Sequence, residues 1–134
     1  MKKSLLEIYG LAVCFFTVAC FVIVLGIATW DIVRIYSPQF TMSNGDWTKH
    51  QSDELYSKAL VDENRWRDDK KEKYIPPIGK ELAEARERSF AQEIRAERRG
   101  GFQDLARNFI ILFIDLGVFL LHWKIAAHAR QNAI

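Results

Sequence analysis

The chain is poor in the residues that usually build an active site or a disulfide scaffold. It has 2 cysteines and 3 histidines in 134 residues. Cys14 and Cys20 are six positions apart in one apolar run. On a helix that is ~9 Å of rise and a change of face, so they cannot bridge each other. No CxxC pair accompanies them, and His50, His122 and His128 stand at no metal-ligand spacing. A glycine-rich phosphate loop, a GxSxG elbow and an HExxH pair are all missing. The sequence therefore predicts no enzyme, no bound metal and no cofactor.

Charge of a single sign is lacking as well. There are 19 Lys/Arg against 17 Asp/Glu, a net charge of +2. Lys2, Lys3, Lys124 and Arg130 on one side, and Glu7 and Asp115 on the other, lie outside the stretch from Asp31 to Arg107. That leaves fifteen of each sign inside it. Without a basic patch the chain has no footprint for nucleic acid.

Between Ile8 and Trp30 charge is missing altogether. At 1.5 Å per residue these positions reach about 34 Å, against a hydrocarbon core of ~30 Å. A second apolar run extends from Leu105 to Ala127, with Arg107 and Lys124 at its edges. Both can snorkel to the headgroups. Met1-Lys-Lys before an apolar run also begins as a secretory signal does, and Gly26-Ile27-Ala28 has the form of a cleavage site. The run exceeds the ~7–15 residues of a signal core, which favours a retained anchor.

The predicted fold class is an all-α membrane protein: a two-span antiparallel transmembrane hairpin with a long, charged, partly helical connection. Residues 1–36 form a basic head and the first span, 37–101 the connection, 102–128 the second span and 129–134 the tail. Aromatic residues mark both edges of such a hairpin: Tyr9 and Trp123 at one interface, Trp30, Tyr36 and Phe102 at the other.

In the connection, Ser37-Pro38 ends the first helix. Ser43-Asn-Gly-Asp46 reads as a turn. Ser52 caps a helix running to about Lys73, with Leu55, Tyr56, Ala59, Leu60 and Trp66 at helical spacing. Pro76-Pro77 breaks it, and a charged helix follows from Lys80 with only Leu82, Phe90 and Ile94 as an apolar stripe. Gly100-Gly101 is expected to interrupt that helix, and so few apolar residues predict no full core.

Lys2, Lys3, Lys124 and Arg130 favour cytoplasmic termini. A connection longer than ~60 residues crosses largely regardless of its arginines, which places it in the periplasm.

Chemistry concentrates in the second span. Asn108, Asp115 and His122 recur at seven-residue intervals and share one helix face. A carboxylate near the bilayer centre costs about 2.5–3.5 kcal/mol. Something must offset that cost: a neutral Asp115 hydrogen-bonded between helices, an ion- or proton-handling role, or a partner's buried charge. Thr17, at similar depth, is a candidate donor. Seven residues put ~10.5 Å between Asp115 and His122, too far for a direct relay. In the first span Ala12, Ala19 and Gly26 form a small-residue stripe, suited to close packing against the second span or a neighbouring subunit. Asp31 and Arg34 read as an interfacial ion pair. Arg95, Glu97, Arg98 and Arg99 read first as a solvated helix end, or else as a contact for anionic headgroups or a partner.

The run Glu97-Arg-Arg-Gly-Gly-Phe-Gln-Asp-Leu, then Leu112-Phe-Ile-Asp-Leu and His122-Trp-Lys-Ile-Ala, together with Leu6 to Phe16, resembles small two-span inner-membrane proteins of Gram-negative bacteria. The resemblance covers both ends of the chain and implies a setting in the inner membrane without an assigned activity. The expected function is a non-enzymatic membrane protein acting by helix-helix interaction, as a homo-oligomer or an accessory subunit, with the lipid bilayer and other membrane proteins as partners. The alternative is a proton- or ion-coupled component using Asp115.

Overall fold

A computed structural model of the chain describes residues 5–67 and 74–131. The basic head at Lys2 and Lys3, the 68–73 end of the expected connection helix, the side chain of Trp66 and tail residues 132–134 lie outside the described residues. Five helices follow in order: α1 Leu5–Tyr36, α2 Pro38–Thr41, α3 Asn44–Lys49, α4 Asp53–Arg67 and α5 Lys80–Gln131. No strand occurs among the described residues. Helices α1 and α5, of 32 and 52 residues, are each long and apolar enough to cross a membrane.

The helix boundaries follow local chemistry. Ser37 and Pro38 end α1, and the proline opens α2 at a first-turn position where its missing N–H costs nothing. The expected turn at Ser43 is instead the cap of α3: Ser43 Oγ accepts from the Asp46 N–H at 3.1 Å. Ser52 Oγ accepts from the Leu55 N–H at 3.2 Å and caps α4. Residues 74–78, containing Pro76 and Pro77, are not helical. Gly79 then turns the chain into α5 with φ +63°, a left-handed conformation that other side chains resist.

Helix α5 runs unbroken through Gly100-Gly101, so the expected interruption does not occur. Two glycines cost roughly 1 kcal/mol each, and strong helix formers on both sides carry the helix across. At Gly100 a Cβ would lie 2.8 Å from Arg34 Nη2, so the close approach of that guanidinium accounts for one of the two.

The chain divides into two compact units, one of residues 1–32 with 101–134, the other of residues 33–100. In the first, α1 presents Gly10, Cys14, Thr17, Ala28 and Asp31 as buried positions, with Phe21 and Val24 half-buried. These alternate by three and four residues, the spacing of a helix seam. Helix α5 repeats the pattern through Gly101, Asn108, Leu112, Ala126 and Ala129. The helices approach closely at Gly10, where a Cβ would meet Ala126 Cβ at 3.0 Å and the His122 carbonyl at 3.1 Å. Cys14 Sγ lies 3.8 Å from the Phe119 carbonyl oxygen. Outside the seam, large apolar side chains such as Phe15, Phe16, Phe109 and Phe113 are two-thirds to four-fifths exposed. Apolar groups outward and polar groups inward is the arrangement a lipid solvent favours.

The second unit has a small aromatic core, which the thin apolar stripe does not predict. Its centre is His50, 5% exposed. His50 stacks on Tyr56 at 5.5 Å and tilts against Phe90 at 5.3 Å, and Trp47 adds a second ring to Phe90. Ion pairs surround these rings: Lys49 with Asp46 and Glu93, and Arg86 with Asp53. Polar pairing around a few rings does what apolar volume does elsewhere.

A candidate polar site between two apolar helices

Seven-residue spacing brings Asn108, Asp115 and His122 to the seam of α5, the face packed on α1. Each has a different environment there. Asn108 is 3% exposed, and its Nδ2 donates to Asp31 Oδ2 at 2.6 Å. Asp31 is 2% exposed. Asp31, read from sequence as an interfacial residue, is thus also a buried acceptor joining the two helices. A signal for this was present: Gly10, Thr17 and Asp31 lie at multiples of seven, the same periodicity that marks the α5 face. Arg34 pairs with Glu97 at 3.0 Å.

His122 sits at the other end of the seam. Its Nδ1 is 2.8 Å from the Val118 carbonyl oxygen, which can only accept, so Nδ1 carries the proton. The ring also contacts Tyr9 at 5.8 Å. With Nδ1 held in its own helix, His122 offers only Nε2 to other groups.

Asp115 lies between them, half-buried. Its Oδ2 is buried and has no hydrogen-bond partner among the described residues. Thr17 does not supply one by donation, because its hydroxyl is directed to the Val13 and Cys14 carbonyls of its own helix, at 3.1 and 2.9 Å. Asp115 and Thr17 line a cavity of about 190 Å³ whose other walls are Val18, Phe21, Leu116 and Phe119. A polar atom in such surroundings costs about 1–3 kcal/mol while it stays unpaired.

The small stripe Ala12, Ala19 and Gly26 is exposed, and a Cβ at Gly26 would meet nothing within 4 Å. It does not face α5. Close approach to α5 falls to Gly10 instead, a position not distinguished by the small-residue search. Cys14 is buried on the seam, Cys20 is exposed, and both are free thiols. Among the described residues no cluster of His, Cys, Asp and Glu could hold a metal ion.

No protein-family model, no curated protein and no solved structure matches the chain. Its function is therefore argued from these residues alone.

Proposed function

We propose that the chain is a non-enzymatic two-span protein of a bacterial inner membrane that acts by helix-helix interaction, as a homo-oligomer or as an accessory subunit of a larger complex. The observation that carries this reading is the orphaned Asp115 Oδ2 in an apolar cavity. A donor from another membrane helix would satisfy it, and the described residues of the chain offer none. The antiparallel hairpin is supported by the order of contacts: Gly10 meets Ala126, Cys14 meets Phe119 and Asp31 meets Asn108, one series rising as the other falls. Cytoplasmic termini and a periplasmic connection rest on the basic ends, and the inner-membrane setting on the resemblance of both ends of the chain. The exposed Ala12, Ala19 and Gly26 stripe is the face left for a neighbouring subunit.

Copurification from native membranes tests the reading. Asp115→Leu removes the acceptor and should lose the partners that the wild-type chain recovers. Asp115→Asn keeps a hydrogen-bonding group and should retain them. Recovery of the same partners by Asp115→Leu would sink the reading. In the proton- or ion-coupled alternative, Asp115→Asn preserves assembly and abolishes flux in a reconstituted assay. Ala19→Leu should weaken self-association, and its full retention would count against that face.

A further inference from the structure

The second unit carries a groove of about 560 Å³ that the intramembrane site does not explain. Tyr36, Phe40, Trp47 and Ile94 form its apolar walls, and Gln39 and Arg98 are among its polar ones. Tyr36 and Phe40 are 82% and 73% exposed. That is unusual for aromatic rings beside a buried core, unless something other than water covers them.

Charge identifies what covers them. Arg34, Lys49 and Arg86 are each held by a carboxylate. Arg98 is exposed and has neither ion pair nor hydrogen bond among the described residues. Among the described residues no carboxylate lines the groove. It therefore offers one guanidinium for a phosphodiester and no carboxylate to pair with an ammonium group. Aromatic rings beside an arginine are the side chains that settle at the level of lipid headgroups.

Position along the chain agrees. Tyr36 follows Trp30, the last residue of the charge-free run, by six residues, about 9 Å of helix. The headgroup layer is ~5–7 Å deep on each side, and an ordinary helix tilt shortens the distance. Arg98 precedes Leu105, where the second apolar run begins, by seven residues.

Resting on the membrane-spanning reading above, we propose that this groove binds the headgroup of an anionic glycerophospholipid of the phosphatidylglycerol class, with Arg98 on the phosphodiester and Tyr36, Phe40 and Trp47 against the glycerol and upper acyl chain. The lipid is a bound partner of the connection, and the groove selects it over zwitterionic lipids of the same leaflet.

Tryptophan quenching by brominated lipid tests this on the full chain in bilayers. One variant keeps only Trp47 (Trp30→Phe, Trp66→Phe, Trp123→Phe) and another keeps only Trp30. Brominated phosphatidylglycerol should quench Trp47 more than the same fraction of brominated phosphatidylcholine. Arg98→Gln should remove that excess, weakening the lipid's apparent affinity about fivefold, as one arginine near a membrane surface is worth ~1 kcal/mol. Arg88→Gln, which removes an equal charge ten residues away, should leave the excess intact. Trp30 should be quenched equally by both lipids. If Trp30 is quenched and Trp47 shows no preference, the groove proposal alone is overturned. Loss of the preference in Arg88→Gln overturns it too, because surface charge would then suffice. Displacement by inorganic phosphate at the same ionic strength also overturns it, because the groove would then be a free-anion site. If Trp30 escapes both lipids, the spanning reading fails and the groove proposal with it.

Discussion

The two units of this chain bury opposite kinds of side chain with the same element, the α-helix. Between α1 and α5 the polar side chains point inward, while Phe15, Phe16, Phe109 and Phe113 point out. In the connection, rings from His50, Tyr56 and Phe90 gather inside with Trp47 at their edge, and ion pairs lie around them. On the membrane-spanning reading lipid supplies no hydrophobic drive between helices, so the first unit depends on close approach and on buried hydrogen bonds. On the same reading water supplies that drive to the connection, which is held by a few rings and tolerates half-exposed charge. The same residue type therefore has different weight in each unit. Asn108 on the seam is a tie between helices, whereas Asn64 in α4 bonds to the Leu60 carbonyl of its own helix.

That contrast can be broken most forcefully at Gly10. Gly10→Leu forces atoms into a space where a Cβ alone would sit 3.0 Å from Ala126 Cβ. Overpacking of this kind costs about 1–3 kcal/mol, and here backbone on both helices must move. Gly26→Leu, with nothing within 4 Å, should leave the folding of the isolated chain unchanged. Unfolding in detergent, followed for both variants, checks the difference. Equal effects would mean that the seam is not where α1 and α5 meet.

A smaller effect is expected at the buried tie. Asn108→Leu leaves Asp31 without its amide donor and should destabilise the first unit by about 1–2 kcal/mol, the upper range for hydrogen bonds between membrane helices. A double-mutant cycle with Asp31→Leu isolates the pair. A coupling near zero would show that Asn108 and Asp31 are neighbours without being a tie.

The smallest effect belongs to the connection and depends on pH. The Lys49 ammonium and the Ser43 hydroxyl bond to Asp46, holding its carboxyl below the ordinary value of 3.8. Asp46 therefore stabilises the folded form above that value, and the contribution fades as pH falls through the lower folded value. Burial acts to lower the Lys49 pKa, but hydrogen bonds to Asp46 and Glu93 outweigh it and leave the group above 10.5. Its contribution is present below 10.5 and lost as pH rises through the higher folded value. Both partners are partly exposed, so solvent screening keeps the pair to under ~1 kcal/mol. Asp46→Asn should flatten the acid side of a stability-pH profile read from Trp47 fluorescence, and should do so less at high salt. A profile that keeps its acid slope would assign that slope to other carboxylates.

Much of the arrangement was legible in the primary structure, for identifiable reasons. Apolar runs located both long helices, the first of them free of charge, and seven-residue spacing placed Asn108, Asp115 and His122 on one face. Ser52, Ser37-Pro38 and Pro76-Pro77 marked helix ends because caps and prolines act locally. The small stripe at Ala12, Ala19 and Gly26 misled as a guide to α5, because small size permits close packing without specifying the neighbour. Gly100-Gly101 misled because helix propensity is a sum over neighbours, and theirs are strong.

By itself, then, the sequence determined where the chain is apolar, where helices start and stop, and which polar residues share a face of α5. Those depend on composition and on the geometry of a single helix. Only the tertiary structure decided that Gly10 is a point of close approach, that Asp31 accepts from Asn108, and that Asp115 Oδ2 is left unpaired among the described residues. Each of these is a relation between residues far apart in the chain. Periodicity gives the direction in which a side chain points and is silent about what stands opposite.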